Sequence, residues 1–299
     1  MPRRQRKSGM TTVPASICAV GATLGEGPVW IGRDDSLWFV DIKQLLVHRF
    51  DPATGALRSW PSPEQVGWVL PADDGGLLAG LQSGIHRFDP GTGQFALLAE
   101  VEPDRPANRL NDAATDPKGR IWFGSMDDSE RSATGQYYRF EKGRVANAGL
   151  DPVSIANGPA LSPDGAILYH VDTLGGLIHA CDVADDGSLG RSRPFARIEP
   201  GEGHPDGPTV DSEGCVWVGI FGGWEARRYS PAGELLERVR FPVSNITKLA
   251  FGGEDLSTVY ATTARLHLKP EALDLQPEAG NLFMFRADVA GIAVTPAAL

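Results

Sequence analysis

The segment Asp116–Gly124, DPKGRIWFG, decides the fold, because its pattern occurs six times along the chain. Acidic or polar residues form a turn, with a glycine in five of the six copies, and a run of aromatic and aliphatic residues follows as a strand. The other copies are DDSLWFVD from Asp34, DDGGLLAG from Asp73, SPDGAILYHVD from Ser162, DSEGCVWVG from Asp211 and GEDLSTVYAT from Gly253. The strand anchors, spaced 40 to 48 residues apart, are Trp38, Leu78, Trp122, Tyr169, Trp217 and Tyr260.

A second pattern, a short strand that ends in a tight turn, falls between the copies of the first. Its copies are VHRFDPATG from Val47, IHRFDPGTG from Ile85, YYRFEKGR from Tyr137, IHACDVADDG from Ile178, ARRYSPAG from Ala226 and LFMFRADVAG from Leu282. Six units of about 45 residues, each with several strands, predict an all-β six-bladed β-propeller. A solenoid would need polar capping repeats, which the pattern lacks. We expect the last strand, Leu282–Phe285, to complete the N-terminal blade.

Composition supports this architecture and limits the function. The 36 glycines and 23 prolines, about a fifth of the 299 residues, exclude a long-helix protein, and 41% hydrophobic residues exclude disorder. At most one helical turn is expected, over Pro270–Leu275. We predict a single propeller domain over residues 11–299, preceded by a basic extension, residues 1–10, that is disordered or lies upstream of a true start at Met10. A signal peptide is disfavoured, because prolines, glycines and polar residues interrupt residues 13–25.

The net charge of −10 argues against nucleic acid or an anionic membrane surface as the partner. No 18-residue apolar run exists that would form a transmembrane helix. Cys18, Cys181 and Cys215 are far apart, so we interpret them as reduced thiols of a cytoplasmic protein. The sequence does not indicate an oligomeric state.

The repeats also predict where a site lies. Eleven to thirteen residues before each anchor, where the innermost strand of each blade begins, the residues are Glu26, Val66 and Gly67, Asn111, Asn157, Asp206, and Thr247 and Lys248. Equivalent positions on inner strands form a ring around a propeller's central channel. Three of the polar residues begin a recurring polar-Gly-Pro triplet, as in Glu26-Gly27-Pro28, which we expect to end the connecting loop and aim the polar side chain inward.

Two carboxylates and two amides that converge on one axis repel unless a cation lies between them. Their oxygens suit Ca²⁺, Mg²⁺ or Mn²⁺, and Fe²⁺ and Zn²⁺ also accept such ligands. Each Asn-Gly or Asp-Gly pair alone is typical of an ordinary turn; the shared register is what favours a site.

Several charged residues have open roles. Arg109 is expected at the same channel mouth, although a surface salt bridge is the alternative. Lys248 is expected to bind substrate oxygens or to pair with Glu26. Asp127 and Asp128 fit a solvated loop, and among the histidines only His204 is expected near the site. No GxSxG or HExxH motif is present.

Five motifs resemble the regucalcin/gluconolactonase family, also called the senescence-marker-protein family, over about Glu26–Phe285. They are LGEGPVW from Leu24, RLNDAATDPKGRIWFGSM from Arg109, NGPALSPDG from Asn157, PDGPTVDSEGCVWV from Pro205 and LAFGGEDLSTVYAT from Leu249. The resemblance implies a six-bladed propeller with one divalent metal ion in its channel, and many members are lactonases that act on sugar-acid lactones.

Carried over to this sequence, the resemblance implies Glu26, Asn157 and Asp206 as metal ligands and Asp206 also as the general base. It implies Arg109 and Asn111 as substrate-binding residues. The implied cofactor is one divalent ion, Ca²⁺, Mn²⁺, Zn²⁺ or Fe²⁺, and the implied substrate is a small-molecule sugar lactone.

We therefore expect a hydrolase that opens a D-xylonolactone- or D-gluconolactone-type aldonolactone in sugar oxidation, with a slight preference for a five-carbon lactone. The alternatives are a Ca²⁺-binding regulatory protein without catalysis, an interaction scaffold with a structural metal, and a side activity on aryl esters or organophosphates. A purely structural metal has no use for Arg109 at the channel mouth.

Overall fold

The computed structural model describes residues 13–299, so the predicted basic extension, residues 1–10, lies outside the described residues. The described chain is almost entirely strand and turn. Its strands, in chain order, are β1 (Ala15–Cys18), β2 (Gly25–Ile31), β3 (Ser36–Asp41), β4 (Leu46–Asp51), β5 (Ala56–Pro61), β6 (Val66–Pro71), β7 (Leu77–Leu81), β8 (Gly84–Asp89), β9 (Gln94–Glu100), β10 (Asn108–Thr115), β11 (Ile121–Asp127), β12 (Tyr137–Glu141), β13 (Arg144–Asn147), β14 (Ala156–Leu161), β15 (Ile167–Asp172), β16 (Leu177–Asp182), β17 (Arg193–Arg197), β18 (His204–Val210), β19 (Val216–Phe221), β20 (Glu225–Tyr229), β21 (Leu235–Arg240), β22 (Ile246–Gly252), β23 (Thr258–Thr263) and β24 (Leu282–Arg286).

Two short helices accompany the strands: a 3₁₀ turn over Gly32–Asp34 and α1 over Pro270–Leu275. The expected helical turn at Pro270 is confirmed; Pro lies at the start of α1, where its missing N–H has no intrahelical partner to lose. Within residues 13–299, no helix has the length and hydropathy to cross a bilayer.

Consecutive strands pair antiparallel in groups of four. Four separate sheets are formed by β2–β5, β6–β9, β10–β13 and β14–β17. The remaining strands form one sheet in the order β1-β24-β23-β22-β18-β19-β20-β21, in which a single parallel pair, Gly207 with Lys248, joins β18 to β22. The all-β prediction is thus confirmed.

The first strands of these groups surround a common axis. β2, β6, β10, β14, β18 and β22 contact one another in that order, and β22 contacts β2. The arrangement is therefore propeller-like. Copies of the first repeat form the second strands, β3, β7, β11, β15, β19 and β23, and copies of the second repeat form the third strands. Both predicted repeats are confirmed as structural units.

The direction of ring closure differs from the sequence expectation. β24 does not complete the sheet of β2–β5; it pairs with β23 on one side and with β1 on the other. The N-terminal strand therefore forms the outermost strand of the C-terminal group. The repeats could not show this, because β1 carries no copy of either pattern.

The apolar core lies between neighbouring sheets and is built by the repeat anchors. The anchors Trp122, Tyr169 and Trp217 are among the largest fully buried side chains. In two repeats the turn aspartate accepts a hydrogen bond from the anchor indole: Asp116 from Trp122 Nε1 at 3.0 Å and Asp211 from Trp217 Nε1 at 2.9 Å. The acidic turn residue thus stabilises its own strand anchor.

Every first strand carries a β-bulge at the ring register. In β2 the pairing shifts between Glu26 and Val29, and in β14 between Asn157 and Ala160. The other shifts lie between Val66 and Trp68, Leu110 and Ala113, Pro205 and Pro208, and Ile246 and Leu249. A bulge turns a side chain away from the regular alternation of a strand. The polar-Gly-Pro triplets thus lie inside strands at bulges, and the expectation that they end a loop was wrong.

Candidate metal and substrate site

One cavity of about 280 Å³ opens at an end of the strand ring, and it is lined by Glu26, Arg109, Asn111, Asn157 and Asp206. All five residues singled out in the sequence therefore lie together. The wall around them is largely apolar and includes Leu24, Met126, Ile155, Phe221 and Leu266. Another cavity, of about 150 Å³, is lined mostly by apolar residues together with Lys248, and none of these five lines it.

Glu26 and Asp206 are buried carboxylates, with 5% and 6% of their surfaces exposed. Burial, together with the Asp112 charge, raises the pKa of Glu26 to about 7, although the Gly27 N–H donates to its Oε2 at 3.0 Å. Burial and the Glu26 charge also raise the pKa of Asp206 well above its usual range. The Glu26 charge thus makes ionisation of Asp206 more difficult, and the Asp112 charge opposes ionisation of both.

Asn157 is held by hydrogen bonds at both ends of its amide. Its Nδ2 donates to Thr173 Oγ1 at 2.9 Å, and its Oδ1 accepts from Asn111 Nδ2 at 2.8 Å. Asn111 Nδ2 also donates to the Ala156 carbonyl at 3.0 Å. These bonds fix the orientation of the Asn157 amide. Its oxygen accepts one hydrogen bond from Asn111 and keeps a second lone pair for another partner.

Arg109 is almost fully buried and is oriented by its neighbours. Its Nη1 donates to Asn111 Oδ1 at 2.7 Å, and its Nε donates to Asp128 Oδ1 at 2.8 Å. Burial lowers the pKa of the guanidinium while the Asp128 charge opposes that shift, and an arginine stays protonated in either case. Arg109 therefore places a fixed positive charge beside the cavity. Its ion pair with Asp128 involves a buried guanidinium and is not the surface salt bridge considered as the alternative.

The Asp128 carboxylate accepts hydrogen bonds from three side chains, those of Arg109, Lys43 and Gln65. The sequence pattern did not indicate this role. Lys43 Nζ lies 2.5 Å from Asp128 Oδ1, and Gln65 Nε2 donates to Asp128 Oδ2 at 3.0 Å. Burial opposes ionisation, but these hydrogen bonds and the Arg109 charge outweigh it and lower the pKa of Asp128. Asp128 does lie in the loop after β11, with 30% of its side chain exposed, but these contacts hold it at the cavity rather than free in solvent.

Asp127 has a different environment, and the expectation of a solvated residue was wrong for it. It is buried, with 4% of its surface exposed, and its carboxylate accepts the backbone N–H groups of Ser129, Arg131 and Ser132. The Ser129 hydroxyl and these N–H groups lower the pKa of Asp127 to about 2. The residue shapes the loop that follows β11.

Lys248 lies in the ring as expected, but it pairs with Asp112 rather than with Glu26. Its Nζ bonds to Asp112 Oδ1, and both side chains are buried. Asp112 also accepts the N–H of Ala113 at 2.9 Å and of Gly158 at 3.0 Å. Sequence reasoning missed Asp112 because the register pointed to Asn111, the residue before it.

The mouth of the cavity carries a second pair that the sequence did not reveal. His267 Nε2 lies 3.4 Å from Glu130 Oε2, and the two residues line the cavity from loops far apart in the chain. Both have left-handed backbone conformations, with φ of 64° and 60°. His204 also lines the cavity, as expected, and its Nδ1 lies 3.2 Å from the Thr173 carbonyl.

The oxygen atoms of Glu26, Asp206 and Asn157 suit a divalent cation, whereas without a cation the two carboxylates repel each other. Glu26 and Asp206 supply carboxylate oxygens and Asn157 an oriented amide oxygen, which together form an all-oxygen set for a hard cation. Burial first, and then the neighbouring carboxylates, raise the pKa values of Glu26 and Asp206, and a bound cation would favour their ionised forms. Within residues 13–299, no group of three or more His, Cys, Asp and Glu side chains is placed to hold a metal, and the predicted set has two such residues and an asparagine.

The fold and the cavity define the class: an all-β, propeller-like protein with a buried polar cluster at one end of its strand ring. The family model described as "SMP-30/Gluconolactonase/LRE-like region" matches residues 24–265. The chain belongs to this SMP-30/gluconolactonase/LRE-like family, which confirms the family inferred from the five motifs.

Named relatives and solved structures support this assignment. The chain is 35% identical to a 6-deoxy-6-sulfogluconolactonase of Pseudomonas putida, over 91% of this chain and 94% of the relative. It is 36% identical to an L-arabinolactonase of Azospirillum brasilense, over 91% of each chain. Among solved structures, regucalcin from Agrobacterium tumefaciens, described as a calcium-binding protein, superposes with a TM-score of 0.92 at 28% identity, over 97% of this chain and 98% of that one.

Proposed function

We propose that the protein is a metal-dependent lactonase that hydrolyses an aldonolactone, of the D-xylonolactone or D-gluconolactone type, to the aldonic acid in sugar oxidation. The observation that carries this proposal is the meeting of two buried carboxylates, Glu26 and Asp206, with Asn157 and Arg109 around one cavity. The two relatives above that are named as lactonases support the same reaction class.

We infer that the six four-stranded groups are six blades of one domain, residues 11–299. Support comes from the six copies of each repeat and from the sequential contacts of the six first strands. The single parallel pair between β18 and β22 would then join two neighbouring blades. The basic extension of residues 1–10 and the cytoplasmic location stay predictions.

Glu26, Asn157 and Asp206 are proposed to hold one divalent ion, Ca²⁺, Mn²⁺, Zn²⁺ or Fe²⁺. When bound, such an ion polarises a carbonyl, lowers the pKa of a water molecule and favours the ionised form of a neighbouring carboxylate. The hydrogen bond from Asn111 keeps the Asn157 amide oriented for this role, with Asn111 Nδ2 at 2.8 Å from the Asn157 oxygen.

Asp206 is proposed as the general base. Its ionised carboxylate takes a proton from water while the water oxygen forms a bond with the lactone carbonyl carbon. The bond from that carbon to the ring oxygen then breaks, and Asp206 returns the proton to the ring oxygen as it leaves. The product is the open-chain hydroxy acid. The apolar wall around the carboxylates limits the number of other water molecules near the reacting atoms.

Arg109 and Asn111 are proposed to bind the substrate. Arg109 carries a fixed positive charge beside the cavity, and its Nε and Nη1 are bonded to Asp128 and Asn111. Its remaining Nη2 is then the donor for a sugar oxygen or the developing carboxylate. Asn111 Oδ1 and Nδ2 already have protein partners, so its main contribution would be orientation of Arg109 and Asn157.

The second candidate is a calcium-binding regulatory protein without catalysis. It is favoured by the regucalcin of Agrobacterium tumefaciens, which is described as a calcium-binding protein. An oriented, buried Arg109 beside the ligand cluster favours the lactonase, because a cation has no use for a second positive charge close to its ligands.

The test is an acid-release assay over a panel of sugar lactones. The purified chain is treated with a chelator, and Ca²⁺, Mn²⁺, Zn²⁺ or, under anaerobic conditions, Fe²⁺ is returned to it. We expect hydrolysis of five- and six-carbon aldonolactones that depends on the returned metal. Metal binding without hydrolysis of any lactone would favour the regulatory protein instead.

A further inference from the structure

The buried Asp112–Lys248 pair crosses the ring of first strands. Lys248 lies on β22 and Asp112 on β10, three strands away around the ring of six. The Lys248 Nζ bonds to Asp112 Oδ1 and also lies 3.4 Å from the Ala113 carbonyl. The side chains are 8% and 2% exposed. The pair therefore closes the channel from one side to the other.

Each member of the pair contacts the residue that follows a proposed metal ligand. The Lys248 side chain passes over Gly207, where a Cβ would lie 2.8 Å from its Cγ and Cδ, and Gly207 follows Asp206. Asp112 Oδ2 accepts the N–H of Gly158, the residue after Asn157, at 3.0 Å. Lys248 lines the cavity of about 150 Å³ and not the one at the mouth. The pair thus lies directly beneath the ligands.

We propose that the Asp112–Lys248 pair is the electrostatic floor of the metal site: it closes the channel beneath the ligands and sets the affinity of the site for a divalent ion. Arg109 is paired with Asp128, so the remaining buried charges are the carboxylates of Glu26, Asp206 and Asp112 and the Lys248 ammonium. These four groups leave two negative charges, which one divalent cation would balance. The inference rests on the proposed metal site and adds two residues to it that do not line the cavity at the mouth.

The test is metal affinity in a two-residue cycle. The full chain is treated with a chelator and titrated calorimetrically with Mn²⁺ alone and with Ca²⁺ alone, for the wild type, Asp112→Asn, Lys248→Met and the double variant. Removing one negative charge beside a divalent ion should raise its Kd roughly tenfold or more in Asp112→Asn, because Coulomb interactions are strong in a buried site. Lys248→Met should lower the Kd, and the double variant should return close to the wild-type Kd.

Matched variants distinguish the effect of charges at the proposed metal site from the effect of a change in the net charge of the protein. Lys118 and Asp185 form an exposed pair at 3.0 Å on the outside of the molecule, so Lys118→Met and Asp185→Asn should leave the Kd unchanged. In Lys248→Met, two backbone N–H groups still stabilise the Asp112 carboxylate. If that variant does not fold by circular dichroism, Asp112→Asn and the double variant carry the test.

Wild-type Kd values in Asp112→Asn, Lys248→Met and the double variant would overturn the proposed floor while leaving the metal site and the lactonase intact. Absence of Mn²⁺ and Ca²⁺ binding in the wild type would instead overturn the proposed metal site itself, and the floor with it. A Kd that follows the charge in the expected order would support both.

Discussion

Nη1 of Arg109 donates a hydrogen bond of 2.7 Å to Oδ1 of Asn111, and this bond connects the two halves of the candidate site. On one side, Arg109 is held by Asp128; on the other, Asn111 donates to Asn157. The proposed substrate-binding residues and one proposed metal ligand thus belong to a single hydrogen-bond network. A substitution at Asp128 or Arg109 should therefore alter the orientation of the Asn111 and Asn157 side chains.

Asp206→Asn should reduce the rate of lactone hydrolysis by about a hundredfold or more. The amide keeps an oxygen that can bind a metal ion, but it is too weakly basic to take the proton from water. The rate should be measured at saturating metal, with metal binding and the far-ultraviolet circular dichroism spectrum recorded in parallel. A near-wild-type rate in a folded, metal-bound variant would show that Asp206 is not the base.

Asp128→Asn should raise KM roughly tenfold, because Arg109 loses its charged partner. Its guanidinium is then oriented mainly through Nη1, which bonds to Asn111. The expected split is a large change in KM and little change in the Kd for Mn²⁺, since Asp128 is remote from the proposed ligands in the network. Lys43→Met is the matched control; it removes another Asp128 contact but leaves the bond to Arg109. Equal KM values for wild type and Asp128→Asn would contradict the positioning role.

Asp116→Ala should lower the free energy of unfolding by about 3 to 5 kcal/mol, because it leaves the buried Arg120 without its carboxylate partner. Asp116 accepts from Arg120 Nε at 2.5 Å, from Trp122 Nε1 and from two backbone N–H groups. Asp164 lies in an exposed turn and bonds only to Ser162 and Ala166 among the described residues, so Asp164→Ala should cost about 1 kcal/mol or less. Urea unfolding compares the two, and equal losses would contradict the role of Asp116.

Removal of residues 1–18 should lower Tm by several degrees, because it deletes β1 and exposes the edge of β24. Removal of residues 1–12 leaves β1 in place and should leave Tm close to the full-length value. Differential scanning calorimetry of the three proteins decides this. A full-length Tm in the longer truncation would mean that β1 contributes little to closure of the ring.

Acid should destabilise the fold through His170. Burial, and next the neighbouring His179, lower the pKa of His170 to about 3, so the folded protein holds it neutral while the unfolded chain binds a proton below about pH 6.5. The stabilisation is therefore full above pH 6.5 and falls by about 1.4 kcal/mol per pH unit below it. Between pH 6.5 and 5, the wild type should lose about 2 kcal/mol more than His170→Phe. Parallel pH slopes in urea unfolding would show that His170 does not carry this effect.

Much of the fold was predictable because the repeats are local. The turn acid, the glycine and the aromatic anchor lie within nine residues in DPKGRIWFG, and the same short-range physics forms β3, β7, β11, β15, β19 and β23. The inner register followed from the same repeats, and it brought Glu26, Asn157 and Asp206 to one cavity. Their roles remain proposals.

What the sequence alone determined, then, is the periodic part of the molecule: the all-β class, the repeated strands and the register of the inner positions. The tertiary structure decided which side chains pair across the axis of the strand ring. It also decided that the N-terminal strand β1 joins the C-terminal group of strands through β24. Asp112 and Lys248 are 136 residues apart, and whether Asn111 or Asp112 turns toward a given neighbour depends on a bulge at that step of the strand. Such contacts depend on how distant strands meet around the axis, and no local pattern encodes that geometry.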